Sequence, residues 1–271
     1  MTKFTWFYPK SLSEACSLLR EKNLTPHGGG TELIKRTLSG TDGMMSLKYL
    51  DLNYIKRQED LIEIGSMTTY ADIVAGLKPE FPGHVLVRSL EHAANTPCRN
   101  RITLGGSIAF VPRWSDLIGP LLALDAHVCL KGVHDGEYPI SQFLKHAALK
   151  ERSLITAVKF KNTDHRSAHY REVKTHNDMP VFTVTVLLEI GKDRINKARI
   201  FLAGTAERIS RLKEPEEYLE GKDRYGLDEN EIRDLVNVEF KSSKLKDIEY
   251  LRQKAKTETG RMIVVAAENG V

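Results

Sequence analysis

The sequence has few cysteines, no long apolar run and no strong excess of charge of one sign. Its three cysteines, Cys16, Cys98 and Cys129, are widely spaced and form no C-x-x-C pair. A zinc or iron–sulfur site built by this chain alone is therefore not expected, and we predict no metal ligands. The longest apolar stretch, Leu117 to Leu130, is interrupted by Asp125 and is too short to cross a bilayer.

The charge balance argues against a nucleic-acid partner. The 271 residues carry 40 Lys and Arg against 36 Asp and Glu, which gives a net charge of only +4, and the basic residues are dispersed. A nucleic-acid interface would need a basic face with interleaved aromatic residues. The first ten residues also lack the basic and apolar segments of a signal peptide. We therefore expect a cytoplasmic protein, with enough chain for two domains.

Two glycine clusters are the most informative motifs that the chain does contain. They are Gly28-Gly29-Gly30-Thr31-Glu32, preceded by His27, and Thr103-Leu104-Gly105-Gly106-Ser107, followed by Asp116. Glycine has no Cβ, so consecutive backbone amides can point into one concavity and approach a ligand closely. In each cluster the glycines are followed by a residue whose hydroxyl group can add a hydrogen bond, Thr31 or Ser107. The pair predicts one phosphate-rich ligand that is held from two sides.

The spacing excludes two common phosphate-binding motifs. No lysine follows the glycines as in a P-loop, and neither cluster has the G-x-G-x-x-G spacing of a dinucleotide fold. What remains is binding of an anion by backbone amides, with Arg99 or Arg101 as a source of positive charge. The alternative is that each cluster is only a tight turn, which is the commoner role of a glycine pair.

Local patterns predict a first α+β region and a second, strand-then-helix region. A capping box at Ser11–Glu14 predicts a helix to about Lys22, and a strand at Leu24–His27 leads into the first cluster. The other predicted helices are Leu33–Leu38, Thr69–Leu77, Leu86–Ala94, Ile118–Leu124, Glu214–Glu220, Asp228–Val236 and Lys244–Ala267. The other predicted strands are Leu61–Ile64, Ala126–Leu130, Ser153–Phe160, Tyr170–Lys174, Val181–Ile190 and Ala198–Ala203. The polar stretch Lys161–His169 is the predicted boundary.

Several motifs, in order along nearly the whole chain, resemble those of one family. They are Tyr8-Pro9, Ser13-Glu14-Ala15, the first glycine cluster with Leu33, Arg99 to Ala109 around the second cluster, Ser115-Asp116-Leu117, Pro120 to Ala126 and Leu219 to Lys222. With these motifs the chain resembles the FAD-binding, or medium, subunit of the molybdenum hydroxylases, which include xanthine dehydrogenase and aerobic carbon monoxide dehydrogenase. Ser107 stands where the family often has Asn or Asp.

The resemblance implies an α+β fold of two domains. Residues 1–162 would form an FAD-binding domain of the vanillyl-alcohol-oxidase (PCMH) type. Residues 166–271 would form a smaller α+β domain, a three-stranded sheet with helices, of the carbon monoxide dehydrogenase flavoprotein C-terminal type.

The resemblance also implies a function. The chain would be an oxidoreductase subunit whose cofactor is FAD, in complex with a molybdopterin-binding large subunit and a [2Fe–2S] small subunit. Electrons would pass from the [2Fe–2S] clusters through FAD to NAD or another acceptor. The alternatives are a free-standing flavin oxidoreductase of the same fold and an assembly scaffold that has lost FAD.

On the same resemblance, the two clusters would contact the FAD pyrophosphate, and Asp116 would bind the cofactor. On the residues alone, Asp116 is as well explained as a cap of the following helix. Near the flavin ring the resemblance implies Leu154 and a basic residue, for which Lys174 is chosen and Arg171 competes. Because a flavin supplies its own redox chemistry, no catalytic side chain is predicted. Trp6 and Trp114 are expected in the core or at an interface.

A simple mutational expectation follows from the glycine argument. Gly29→Val and Gly106→Val are each expected to abolish FAD binding at a modest cost to folding, because close backbone approach to a pyrophosphate leaves no room for a Cβ.

Overall fold

A computed structural model describes residues 5–35, 40–175, 178–241 and 247–268 of the chain. The described strands are β1 (Thr5–Phe7), β2 (Leu24–His27), β3 (Gly43–Ser46), β4 (Ile55–Gln58), β5 (Leu61–Gly65), β6 (His127–Gly132), β7 (Gly136–Pro139), β8 (Ser153–Lys161), β9 (Arg166–Glu172), β10 (Phe182–Gly191), β11 (Arg194–Thr205) and β12 (Arg208–Arg211). The described α-helices are α1 (Leu12–Glu21), α2 (Tyr70–Leu77), α3 (Val85–Leu90), α4 (Thr96–Arg99), α5 (Leu104–Phe110), α6 (Ile118–Ala123), α7 (Ile140–Lys145), α8 (Lys213–Leu219), α9 (Glu229–Asp234) and α10 (Ile248–Glu268).

Packing divides the chain into two compact units. The first comprises Met1–Ile73, Thr96–Phe110 and Asp125–Asn162, and the second comprises the remaining segments, Val74–Asn95, Val111–Leu124 and Thr163–Val271. Two segments of the predicted first domain thus belong to the second unit. The division of the sequence into domains 1–162 and 166–271 stays a prediction.

The first unit contains two sheets. A parallel sheet has the strand order β1-β3-β2, and an antiparallel sheet has the order β4-β5-β8-β6-β7. Helix α1 begins at the predicted cap, where the Ser11 hydroxyl accepts a hydrogen bond from the Glu14 amide. Its apolar residues Ala15 and Leu19 pack with Met45 of β3 in one buried cluster. This packing fixes the parallel sheet, and with it the loop that follows β2.

The second unit is built on the four-stranded antiparallel sheet β12-β11-β10-β9, so the expected three-stranded sheet is wrong: the short strand β12 adds a fourth strand beside β11. Strand β10 is buried along most of its length, and its Phe182 and Val184 share a core with Ala255 and Ile263 of α10. Helix α6 packs on the same sheet, where Gly119 lies close to the Thr185 side chain. None of the helices in the described ranges combines the length and the apolar character that a bilayer crossing requires.

Two predicted helices extend into segments that lie outside the described residues. A short 3-10 turn, Leu33–Lys35, stands where the helix Leu33–Leu38 was predicted, and residues 36–39 are not described. The long C-terminal helix begins at Ile248, and residues 242–246 of the predicted Lys244–Ala267 helix are likewise not described.

A pair of neighbouring histidines, of which His84 is buried and His165 is partly exposed, lies at the start of α3 in the second unit. The His84 Nδ1 accepts a hydrogen bond from the Leu86 amide, and the His84 and His165 rings are 5.0 Å apart. Burial, followed by the neighbouring His165, lowers the pKa of His84 from 6.5 to about 3. The His84 imidazole is therefore neutral in the folded protein at neutral pH, as its acceptor role at Nδ1 requires.

This lowered pKa predicts a loss of stability in weak acid. Below pH 6.5 the unfolded chain binds a proton at His84 that the folded chain does not, so the free energy of unfolding falls as the pH falls towards the folded-state pKa. For His84 alone this loss is about 2 kcal/mol between pH 7 and pH 5. Urea unfolding of the wild type and of His84→Asn at both pH values measures it. Asparagine keeps a cap acceptor but does not titrate, so its pH dependence should be shallower by that amount. Equal pH dependence in the two proteins would contradict the prediction.

Candidate functional site

The first glycine cluster lies at the carboxyl end of β2. Strand β2 pairs with β3 in parallel through His27 and Ser46, and the chain then turns through Gly28 and Gly29 to Gly30. Gly30 has a φ of +73°, a left-handed conformation that favours glycine. The predicted strand and glycine loop are thus both present, and the sheet edge holds the loop in place.

The hydrogen bonds of this loop use its carbonyl oxygens and leave its amides free. The Gly29 oxygen accepts hydrogen bonds from the Arg101 guanidinium at 3.2 and 3.0 Å, and the Gly30 oxygen accepts one from the Ile34 amide. Within the described residues, no group accepts a hydrogen bond from the amides of residues 28–31, which are half-buried. Because these residues keep part of their surface exposed, an anion can reach this run of amides, and consecutive amides of this kind are suited to bind one.

The structure brings the two glycine clusters together. A Cβ built on Gly29 would lie 1.5 Å from the backbone oxygen of Arg101, and one on Gly28 would lie 2.9 Å from the Thr103 hydroxyl oxygen. The first loop therefore rests directly on the residues that lead into the second cluster. It also follows that the expected modest folding cost of Gly29→Val is wrong, because the added atoms would meet backbone that cannot rotate away.

The second cluster is a helix start rather than a second set of free amides. Residues Leu104–Phe110 form α5, and its first amides have acceptors inside the protein. The Leu104 amide donates to the Thr68 oxygen at 3.0 Å, the Gly105 amide to the Ser66 oxygen at 2.8 Å, and the Gly106 amide to the Thr103 hydroxyl at 3.2 Å. The expectation of a second amide concavity is therefore wrong. Contact between this exposed Gly106 surface and a cofactor stays a prediction.

The hydroxyl groups of the two clusters also differ in whether they have a hydrogen-bond partner inside the protein. The Ser107 hydroxyl is buried, donates to the Thr103 oxygen and accepts from the Tyr70 hydroxyl at 2.9 Å. In the described part of the chain the Thr31 hydroxyl has no hydrogen-bond partner. Glu32 follows, half-buried, before the 3-10 turn. Thr31 is thus free to bind a ligand, whereas Ser107 is already used to fix α5.

Of His27 and Arg101, it is Arg101 that brings positive charge to the first loop. Burial lowers the pKa of His27, and the charge of Arg101 lowers it further against the opposing effect of a backbone hydrogen bond. Arg99, the other candidate cation, donates instead to the Thr96 hydroxyl of its own short helix. The geometry thus distinguishes the two arginines that the sequence left as alternatives.

Asp116 is buried in the second unit beside a cation. Its side chain is 6% exposed, and its Oδ1 accepts a hydrogen bond from the Arg171 Nε at 2.7 Å. The amides at the start of α6 donate instead to the Ser115 hydroxyl, so the alternative of Asp116 as helix cap is wrong. His169 Nε2 lies 3.7 Å from the same Asp116 oxygen. A role of Asp116 in cofactor binding stays a prediction.

The two residues predicted near a flavin ring have contrasting surroundings. Leu154 of β8 is 2% exposed and belongs to the cluster of Ala15 and Met45 in the first unit, so it would have to leave that cluster to touch a ligand. Lys174 lies exposed beyond the end of β9 in the second unit. Its competitor Arg171 is already bound to Asp116 and to two backbone oxygens. Both contacts with a flavin stay predictions.

Comparison with known proteins places the chain in a family. Residues 2–160 match the family model described as the FAD binding domain in molybdopterin dehydrogenase. The chain therefore belongs to this family, and it is a flavoprotein of the oxidoreductase class with FAD as its cofactor, as the sequence predicted. The free amides beside Arg101 fit the anionic pyrophosphate of that cofactor.

Three relatives illustrate the similarity. The nicotinate dehydrogenase FAD-subunit of Eubacterium barkeri is 30% identical over 58% of this chain, a match that spans 56% of that protein's length. The glyceraldehyde dehydrogenase medium chain of Sulfolobus acidocaldarius is 24% identical over 87% of this chain and 86% of its own. The crystal structure of quinoline 2-oxidoreductase from Pseudomonas putida 86 superposes with a TM-score of 0.88 and 22% identity, over 98% of this chain and 97% of that one. The last similarity confirms the predicted α+β fold.

Proposed function

We propose that this chain is the electron-transfer subunit of a molybdopterin-dependent hydroxylase or dehydrogenase, in which FAD links [2Fe–2S] clusters to NAD or another acceptor. The observation that carries the cofactor site is the run of free amides at residues 28–31 beside Arg101. The names of the relatives, an FAD-subunit and a medium chain, support a place in a larger complex. Its proposed partners are a molybdopterin-binding large subunit and a [2Fe–2S] small subunit.

In this proposal the chain's own residues bind and orient the cofactor. The amides of residues 28–31 donate to the pyrophosphate, the Thr31 hydroxyl adds a donor, and Arg101 neutralises charge. Residues 103–107 support the first loop and present Gly106 to the same ligand. His27 stays neutral beside the loop. Asp116, Leu154 and Lys174 are further proposed contacts, for which the family resemblance is the support.

Bound FAD would supply the redox chemistry, so the chain needs no catalytic acid, base or nucleophile. What the protein contributes is position and electrostatic environment. In the described residues, no group of three or more His, Cys, Asp or Glu side chains is arranged to hold a metal ion. The proposal accordingly assigns the molybdenum and iron–sulfur centres to the partner subunits.

Replacing Arg101 tests the proposed pyrophosphate site. Arg101→Met removes both the positive charge and the hydrogen bonds to the Gly29 oxygen, so we expect FAD binding to weaken by roughly tenfold, which corresponds to about 1.4 kcal/mol. Titration of the apoprotein with FAD, followed by quenching of flavin fluorescence, measures the affinity. Arg99→Met is the matched control, because Arg99 is two positions away and binds Thr96 instead. Its affinity should match the wild type. Equal effects of the two variants would contradict the assignment of Arg101.

A pulldown with the tagged full chain distinguishes the proposed complex from its alternatives. Recovery of a large molybdopterin subunit and a ferredoxin-like subunit, with a flavin spectrum in the complex, supports the electron-transfer subunit. A flavin-loaded chain that recovers neither subunit is the result expected for a free-standing oxidoreductase. A complex without bound flavin would indicate an assembly scaffold.

A further inference from the structure

We propose that Trp6 is the residue on which the adenine ring of FAD stacks, so that the edge of the parallel sheet binds the adenosine end of the cofactor. This inference rests on the proposed pyrophosphate site at residues 28–31. It goes beyond that site because it assigns a specific ring contact to a residue outside both glycine clusters.

Trp6 lies in β1 of the parallel sheet that also carries the proposed pyrophosphate site. Because β1, β3 and β2 run in the same direction, their carboxyl ends lie at one edge. This edge carries the residues that follow each strand, which are Tyr8–Lys10, Gly28–Gly30 and Leu47–Tyr49. The carboxyl edge of parallel strands is where ligands of α/β sheets usually bind. The proposed pyrophosphate site thus lies at the edge to which the strand of Trp6 leads.

The Trp6 ring is exposed to solvent. Side chains alternate along a strand, and the neighbouring Phe7 packs against the buried cluster of the first unit. Trp6 therefore points to the opposite face, where its side chain is 41% exposed. Its ring lies 6.1 Å from that of Tyr8, which is also exposed, at an interplanar angle of 18°. The Trp6–Tyr8 pair is an accessible, nearly parallel aromatic surface.

A continuous row of contacts runs from Trp6 through His27 to Gly30 in the first glycine cluster. The Trp6 and His27 rings meet edge to face with centroids 5.1 Å apart. The His27 Nε2 in turn lies 2.7 Å from the point where a Cβ on Gly30 would stand. A ligand held by the amides of residues 28–31 is therefore separated from the Trp6 ring by one side chain. Because burial lowers the pKa of His27, that side chain is uncharged at neutral pH.

The chemistry of FAD favours adenine over the flavin as the stacked ring. Adenine is joined to its phosphate through a single ribose, whereas the flavin ring is joined through an open ribityl chain. The ring nearer the pyrophosphate along the molecule is therefore adenine, and Trp6 is near the pyrophosphate site. Purines stack well on tryptophan, and stacking of a base on an aromatic side chain is commonly worth a measurable share of nucleotide affinity.

Binding of cofactor fragments to the full chain tests this assignment. ADP contains adenine and a pyrophosphate, inorganic pyrophosphate has no ring, and FMN represents the flavin end. For Trp6→Ala we expect roughly tenfold weaker ADP binding by calorimetry, with pyrophosphate and FMN binding unchanged. Trp6→Phe should retain most of the ADP affinity. Tyr49→Ala is the matched control, because its exposed ring at the same edge is already covered by the Lys10 ammonium at 3.4 Å. It should bind all three probes as the wild type does.

Tryptophan fluorescence gives a second readout. The chain has two tryptophans, so Trp114→Phe leaves Trp6 as the single reporter. Saturable quenching by ADP, and none by pyrophosphate, is the expected result. Equal loss of ADP and pyrophosphate binding in Trp6→Ala would mean that Trp6 only supports the loop. Unchanged ADP binding, or loss of FMN binding alone, would also overturn the adenine assignment while the pyrophosphate site stands. A wild-type chain that binds neither ADP nor pyrophosphate would overturn the proposed site itself.

Discussion

Gly29→Ala is expected to reduce FAD affinity by about a hundredfold or more, a loss of about 3 kcal/mol. The single added carbon would lie 1.5 Å from the Arg101 backbone oxygen, and neither atom can move by a side-chain rotation. The loop must therefore shift away from Arg101, which displaces the four free amides and breaks the Arg101–Gly29 hydrogen bonds. We also expect a loss of folding stability of at least the size typical of overpacking, about 1–3 kcal/mol. FAD titration and urea unfolding measure the two losses separately.

Gly106→Ala is the matched control for this experiment. Its Cβ would meet only the Thr103 hydroxyl oxygen, at 2.9 Å, and Gly106 lies within a helix, where alanine is favoured. The Thr103 side chain must shift to admit this atom, which costs less than moving backbone, so the variant should lose less stability than Gly29→Ala, and any FAD effect would report on contact at the second cluster. If Gly29→Ala bound FAD like the wild type, the loop would be a simple turn and the proposed pyrophosphate site would be wrong.

Arg171→Met is expected to destabilise the protein by about 3–5 kcal/mol, because it leaves the buried Asp116 carboxylate without its cation. Arg171 is only 10% exposed and its Nε lies 2.7 Å from Asp116 Oδ1. Another neighbour of that oxygen, His169 Nε2 at 3.7 Å, is too distant for a good hydrogen bond. Urea unfolding at neutral pH measures the change.

Two further variants distinguish the stability lost because the Asp116 charge is unpaired from the stability lost because the Arg171 side chain no longer packs. Adding Asp116→Asn to Arg171→Met removes the unpaired charge, so the double variant should be more stable than Arg171→Met alone. Arg252→Met is the matched control, because Arg252 pairs with the exposed Glu239 and such pairs are worth about 1 kcal/mol or less. Similar losses for Arg171→Met and Arg252→Met would show that Asp116 does not depend on its partner.

The elements that the sequence predicted well are those with strong local signals. The capping box at Ser11 sets the start of α1, and the alternation of Leu61–Ile64 and the apolar run Val181–Ile190 correspond to β5 and β10. Strand β1 was not predicted, because a segment of 3 residues is too short to show a period. Strand β3 was not predicted because all four of its residues are buried, so its sequence shows no alternation of apolar and polar side chains. Helix α5 was not predicted, because Gly105 and Gly106 have low helix propensity. Contacts with Ser66 and Thr103 stabilise the helix instead.

Both glycine clusters could be found in the sequence, but which of their amides have hydrogen-bond partners inside the protein could not be predicted. The sequence identified both glycine clusters, yet it could not show that the amides of α5 are satisfied by the turn at Ser66–Thr68. It also left Arg99 and Arg101 as equals, because a hydrogen bond between residues 72 positions apart has no local signature. The Asp116–Arg171 ion pair was not predicted for the same reason. Such contacts are set by tertiary packing, which composition and spacing do not encode.

The double contact of Arg101 with Gly29 also bears on the order of events during synthesis. The loop is translated 72 residues before the arginine that fixes it, both through the guanidinium and through the backbone oxygen against which Gly29 packs. A nascent chain that has exposed residues 28–31 alone therefore lacks the support for their folded conformation, and closing so long a segment carries an entropic cost. If FAD binds at the proposed site, the cofactor is therefore bound only after Arg101 has left the ribosome and the first unit has begun to fold.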